Sequence, residues 1–284
     1  MNKEAQSIVV TLLGGTLVGI TASGRYTSYV KPGFGPLILI GGIVLIVIGV
    51  LSLVQIVLGA RRESEGTTRP ATTAEGGAEV EVDAHGHSHR HSRAPWLILV
   101  PSLILVLVAP SALGADAVAR NAGSQAIAGM EAAPAAATKY DGYAPNDGSG
   151  SAEDSSGRRT MSFDPLPTGP DPVITIKDFV LRTLYDADDS VSTTPVTVVG
   201  FIAPAGSGYH GGYTIARLAI SCCAADANPI RIHVDGDPPF AVNTWVAAVV
   251  TGVSGTGGAD NDYVPQARVT NVQQVAQPSD PYEH

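Results

Sequence analysis

Cys222 and Cys223 stand side by side in the stretch ARLAISCCAADANPIRIH, which runs from Ala216 to His233, and they are the chain's two cysteines. A trans peptide sets adjacent Cα atoms about 3.8 Å apart, below the usual disulfide span, so a bridge between them would be strained and readily reduced. In a regular strand their side chains would also point to opposite faces, and sharing a bridge or an ion then requires a twist. The AADANP turn that follows can supply it. Three chemistries fit the pair: small apolar residues closing a core strand, a thiolate site for zinc, another divalent metal or copper(I) that recruits Asp226 or His233, or a thiol redox pair. Asp226 also suits a turn-capping carboxylate. Arg217 suits a surface or salt-bridging role.

A second set of metal-ligand types is the tract HGHSHRHSR. His85, His87, His89 and His91 alternate, so in an extended chain their imidazoles lie on one side and can gather a divalent ion. A solvated low-complexity tract is the competing reading. Asp186, Asp188 and Asp189, and Asp260 with Asp262, lack the spacing of an EF-hand and read as solvated turns. The sequence carries no P-loop, HExxH, GxSxG or dinucleotide fingerprint, so it predicts no enzyme, no catalytic residue and no cofactor-binding residue.

The elements that must position these groups begin at a membrane. Of 284 residues, 44% are hydrophobic and 15% charged, and the apolar residues fall in blocks. A formal charge of −9 argues against nucleic acid, whose binding needs clustered Lys and Arg. Ala5 to Ser23 is an uncharged run long enough to span a bilayer, its Gly14, Gly15 and Gly19 suited to close helix packing. A cleaved signal peptide starting at Lys3 is the rival reading. Arg25 to Phe34, with Tyr26 and Tyr29, reads as an interfacial connector. Pro36 to Ala60 is the clearest span, and Trp96 to Leu113, with Pro101 and Pro110, reads as a third. The connector bearing Arg61, Arg62, Arg69, Arg90 and Arg93 is the more positive one and belongs in the cytoplasm. The amino terminus is then cytoplasmic and the carboxy-terminal domain extracytoplasmic.

The expected organisation is two transmembrane helices in 1–60, a His-containing cytoplasmic linker in 61–94, a third helix in 95–114, a low-complexity tether in 115–170 and a β-rich soluble domain in 171–284. In that domain Ile174, Phe179, Val180 and Leu184 mark one face of a short helix. Five strands follow in VTVVGFIA, YTIARLAISCC, IRIHVDG, TWVAAVVTGVSG and VPQARVTNVQQV, separated by turns such as Ala205 to Gly212 and Gly255 to Asp262. Five strands and a helix fit a small barrel, OB-like by preference, with a short sandwich as the alternative.

SGRYTSYVKPGFGPLILIGG, the His-bearing linker, the third apolar run, VVGFI at Val198 to Ile202, IARLAISCCAADA at Ile215 to Ala227 and the closing DPYEH together resemble the YcgQ-like bacterial membrane proteins. The resemblance implies a three-span accessory subunit working beside a YcgR-like permease. It names no transported solute. The long Asp116 to Pro170 stretch departs from that pattern. An extracytoplasmic metal-binding or thiol redox sensor anchored in the membrane is the alternative function.

Overall fold

The computed structural model describes residues 3–65, 112–121, 152–153, 159–206 and 208–284. The chain divides into two compact units: Met1–Tyr26 with Gly33–Ser111, and Thr27–Pro32 with Ala112–His284. In the first, helix α1 (Lys3–Ala22) and helix α2 (Gly35–Glu65) form an antiparallel pair. Both are apolar over a membrane-spanning length, with mean hydropathy 1.6 across Ala5–Ala22 and 3.1 across Pro32–Leu58, which is compatible with membrane anchoring. Leu12, Leu37, Ile40 and Leu51 are exposed, as lipid-facing side chains would be. Gly14 lies against the Gly42 carbonyl and Ile46, where a Cβ would collide, and Ser7 Oγ donates to Ser52 Oγ at 2.7 Å. Of the glycines expected to allow close packing, Gly14 does so, whereas Gly15 and Gly19 face open space.

The second unit is built on a six-stranded sheet. A short pair, β1 (Ala152–Glu153) and β2 (Arg159–Thr160), precedes it. Its strands are β3 (Val196–Pro204), β4 (Tyr213–Ala219), β5 (Asn228–Val234), β6 (Trp245–Gly252) and β7 (Ala267–Gln274), in the order β5-β4-β3-β6-β7 with antiparallel neighbours, while β8 (Tyr282–Glu283) lies parallel to β4. Two helices cover opposite faces. Helix α4 (Ile176–Tyr185) buries Ile176, Phe179, Val180 and Leu184 against Val196, Val198, Ile215, Ile232 and Val250. Each such side chain contributes about 1.5–3 kcal/mol. Thr175 starts the helix by accepting from Asp178 N at 2.9 Å. The short helix α3 (Ala115–Arg120) sets Ala115, Ala117 and Val118 on Phe201, Ala203, Ala216 and Leu218.

The last residues hold this unit together. Glu283 is buried, and its two carboxylate oxygens accept from the first amides of α4, Ile176 N and Lys177 N, each at 2.8 Å. A carboxylate there satisfies two orphan donors and meets the positive end of the helix dipole. Tyr282 Oη donates to Ser28 O at 3.0 Å and accepts from Leu113 N at 3.1 Å. Thr27 Oγ1 donates to Ser279 O at 2.7 Å.

Two expectations change, and a third falls outside the described residues. The sheet stays open where a small closed or partly closed barrel was expected: β5 and β7 are its edges and approach at one parallel bridge, His233 with Gln266. Past Val234 the chain reads Asp235, Gly236, Asp237, Pro238, Pro239, and prolines without N–H groups end any ladder on that side. The stretch read as tether, 115–170, supplies α3, and its Phe163 and Leu166 pack on the core while Arg182 donates to Asp164 O at 2.8 Å. Alanine-rich composition hid this because small side chains pack closely without a long apolar run. The third apolar run lies outside the described residues except for Ala112 and Leu113.

Burial pushes the Glu283 carboxyl up more than the amides of Lys177 and Ile176 and the Arg217 guanidinium pull it down. Folded, it keeps its proton to higher pH than unfolded, so its contribution is full below the ordinary carboxyl range and is lost as pH rises through the folded pKa. Glu283→Ala, which orphans two buried amides, is expected to cost about 3 kcal/mol, read as a Tm lowered by roughly 10 °C in near-UV circular dichroism of the full chain in detergent. For Glu283→Gln, the Tm gap from wild type should widen on acidification from neutrality, and a gap independent of pH would refute this role.

Candidate functional site

The cysteines sit where β4 runs out. Ile220 N still donates to Glu283 O at 2.9 Å, and the chain then bends through Ser221, Cys222 and Cys223 into a 3-10 turn at Ala224–Asp226. Asp226 shapes the bend by folding back: Oδ1 accepts from Ser221 N at 3.0 Å and Oδ2 from Cys222 N at 2.8 Å. Asn228 Nδ2 donates to Asp226 O at 3.0 Å and secures the exit into β5. The result is the twist that a regular strand lacks: the two sulfurs stand 3.6 Å apart on one side. Both cysteines are free, Cys222 exposed and Cys223 half-buried. They do not end the core strand as buried residues.

A further element grips this turn from far away in sequence. Val30 forms an antiparallel bridge with Cys223, Lys31 N donates to Cys222 O at 3.1 Å, and Ala224 N donates to Tyr29 O at 2.8 Å. The connector read as an interfacial anchor is therefore, over Thr27–Pro32, a strap paired to the cysteine turn.

Donor atoms of Cys222, Cys223 and Asp226 lie within 4.8 Å of one another. His233 is not among them. It is paired with Thr214, five residues along β5 from Asn228, roughly 16 Å away by strand rise. Its ring is 1% exposed, stacks on Tyr209 with centroids 3.6 Å apart, and meets Asp235 Oδ1 through Nε2 at 3.2 Å. Burial lowers its pKa, against the pull of Asp235, and favours the neutral imidazole. A groove of about 540 Å³ opens at that same far end, along the seam between β5 and β7, with Asp235, Asp237, Gln266 and Arg268 in its wall. His85, His87, His89 and His91 lie outside the described residues.

Other singled-out residues find structural partners. Arg217 turns inward, donating to Asp280 O at 2.6 Å and lying 5.6 Å over the Trp245 ring. Asp186 is 2% exposed rather than solvated, and accepts from Asp188 N at 3.0 Å and Ser190 N at 3.2 Å. The residues that sequence reasoning missed are Tyr29 to Lys31, Tyr282 and Glu283. Their one signal was that both segments fall within the motifs SGRYTSYVKPGFGPLILIGG and DPYEH singled out in the sequence.

The Cys222 thiol is pushed up to about 11, by its hydrogen bonds to Asp226 first and to Cys223 second. Burial pushes Asp226 up, but donation from Cys222, Ser221 and Cys223 outweighs this and holds its carboxyl below the usual range. The turn thus keeps a protonated thiol beside a charged carboxylate at neutral pH. Iodoacetamide is expected to modify Cys222 slowly at pH 8 and about tenfold faster per pH unit until the pKa is passed. Asp226→Asn removes the negative charge and one of the two acceptor oxygens and should speed the pH 8 reaction about tenfold, the added thiolate being partly offset by weaker nucleophilicity. Equal rates in the two proteins, read by peptide mass, would show that Asp226 has no hold on the thiol.

Residues 5–120 match the DUF1980 N-terminal domain and residues 173–284 match the DUF1980 C-terminal domain. No curated protein and no solved structure matches the chain.

Proposed function

The chain belongs to the DUF1980 family, whose N-terminal and C-terminal domains it carries in order, and from that premise we propose that it is a non-enzymatic accessory subunit of a membrane permease, a YcgR-like one by the sequence resemblance. The β unit works outside the membrane, and the strap between the two apolar helices lets that unit act on them. The observation that carries this reading is the meeting of three chain segments at one hydroxyl. Tyr282 Oη bonds Ser28 O, in the connector of α1 and α2, and Leu113 N, where the third apolar run ends.

A topology follows. With α1 and α2 crossing the bilayer, their connector and the β unit share one side. The proposed topology takes Trp96 to Leu113 as a third crossing, a reading supported by its apolar composition. The arginines of the connector after α2 support a cytoplasmic side for that connector. The strand order β5-β4-β3-β6-β7, with the parallel contact of β5 and β7, supports an OB-like lineage for the outer unit.

A second reading is favoured by one specific observation, the convergence of Cys222, Cys223 and Asp226. It makes the unit an extracytoplasmic metal or thiol redox sensor. The two readings are compatible, since the strap ties the sensing turn to the helix pair.

A membrane-impermeant maleimide is expected to label Gln277→Cys in intact cells, in a Cys222→Ser, Cys223→Ser background, and Thr68→Cys only after rupture; the reverse pattern would end the topology. Co-purification in mild detergent with a YcgR-like permease tests the partnership. Recovery of this chain alone across several detergents counts against an accessory role.

A further inference from the structure

The spacing of the sulfurs selects an ion class. Zinc bonds to thiolate are about 2.3 Å long, and a tetrahedral angle between two of them separates the sulfurs by about 3.8 Å. A linear two-coordinate soft ion would hold them roughly 4.5 Å apart, two full bond lengths. Sγ of Cys222 and Sγ of Cys223 are 3.6 Å apart, close to the tetrahedral value. The third donor is at hand, for an Asp226 oxygen lies within 4.8 Å of both sulfurs. Its oxygens accept the amides of Ser221 and Cys222 and draw on that of Cys223, and a carboxylate with about four lone-pair sites keeps one for a metal, which would take the place of the Cys222 thiol proton.

These amides also orient the donors. Cys222 and Ser221 are drawn toward the carboxylate, and the strap fixes the backbone of both cysteines from the other side through Val30 and Lys31. The donor set is then two thiolates and one carboxylate, fixed by the fold and supplemented by no other described His, Cys, Asp or Glu. Closed structural zinc sites use four protein ligands; sites that exchange or act on a ligand keep three and leave one position open. We propose that Cys222, Cys223 and Asp226 form an open, three-ligand site for a divalent cation of the zinc class, with the fourth position left to water or to a donor brought by a partner. Binding releases the two thiol protons to water, the carboxylate being already ionised. This inference rests on the metal-sensing reading of the pair and gives it a ligand.

The test uses the full chain in detergent, reduced and stripped of metal, with His85, His87, His89 and His91 changed to Ala so that the tract contributes nothing. Co²⁺ is added as a spectroscopic stand-in for Zn²⁺. The expected result is one ion per chain, sulfur-to-cobalt charge-transfer absorption of two thiolates, and intense tetrahedral d–d bands. A small monothiol should raise the thiolate count to three by taking the open position. Cys222→Ser and Cys223→Ser, both at accessible positions and checked for unchanged circular dichroism, should each weaken Zn²⁺ binding about 100-fold or more in competition with a chromogenic indicator. Cobalt bound without charge transfer, affinity unchanged by either serine, or a spectrum indifferent to the monothiol overturns the proposal. Mass spectrometry separates its failure from that of the wider reading. Loss of two hydrogens on exposure to a small disulfide, with no ion bound, overturns the zinc site and leaves a thiol redox sensor. Thiols that neither bind an ion nor oxidise remove both.

Discussion

The buried carboxylate of Glu283, held against the first amides of α4, is the contact on which the β-rich unit depends. An ionisable group is costly to bury, and two backbone donors with the nearby Arg217 and Lys177 offset part of that cost, though burial outweighs them. With Glu283 in place, α4 lies across the sheet and seals its larger core. The backbone of the same residue, as β8, occupies the length of the β4 edge that β3 leaves uncovered. One residue earlier, Tyr282 gathers the connector and the end of the third apolar run. Two adjacent residues therefore close the core and tie the Thr27–Pro32 segment to it.

The position of the cysteine turn follows from this anchoring. β4 is held along both edges, by β5 on one side and by β3 and then β8 on the other, so its last residues are rigid. Beyond Ala219 the chain escapes the ladder, and Asp226 bends it within a few residues. A rigid strand feeding a short, self-bonded turn is a good way to present two small side chains in fixed relation. The strap adds a third support, from residues nearly two hundred positions earlier in the chain. What happens at the sulfurs is then mechanically connected to the loop between two apolar helices.

The opposite end of the same strand pair is chemically different. His233 is sealed beneath Tyr209, whose hydroxyl burial pushes up to about 12. Arg231, two residues earlier on the same face of β5, is also buried, and burial lowers its pKa against the pull of Asp262. These polar groups are enclosed by loops, whereas the thiols meet solvent. The groove at the His233 end is walled by Asp235, Asp237, Gln266 and Arg268, so the two ends offer different donors.

Much of this was legible in the residues. Alternating apolar positions marked all five long strands, β3 to β7. The spacing of Phe179, Val180 and Leu184 marked α4, and uncharged runs marked α1 and α2. The turn after Cys223 was readable as well, because Asp, Asn and Pro bend a chain by local hydrogen bonds and fixed dihedrals. The same local rules were blind to α3, to β8 and to the strap. Each is short, and each forms because a distant partner covers it: Thr27 bonds Ser279 across 252 residues of sequence. Periodicity is a property of a window of neighbours, so sequence alone determined which segments are strand, helix or apolar span. Which edges stay open, that both sulfurs face one way, that His233 stands apart from them, and which loop holds them were decided by packing, because burial and hydrogen bonding between remote segments exist only once the chain has closed on itself.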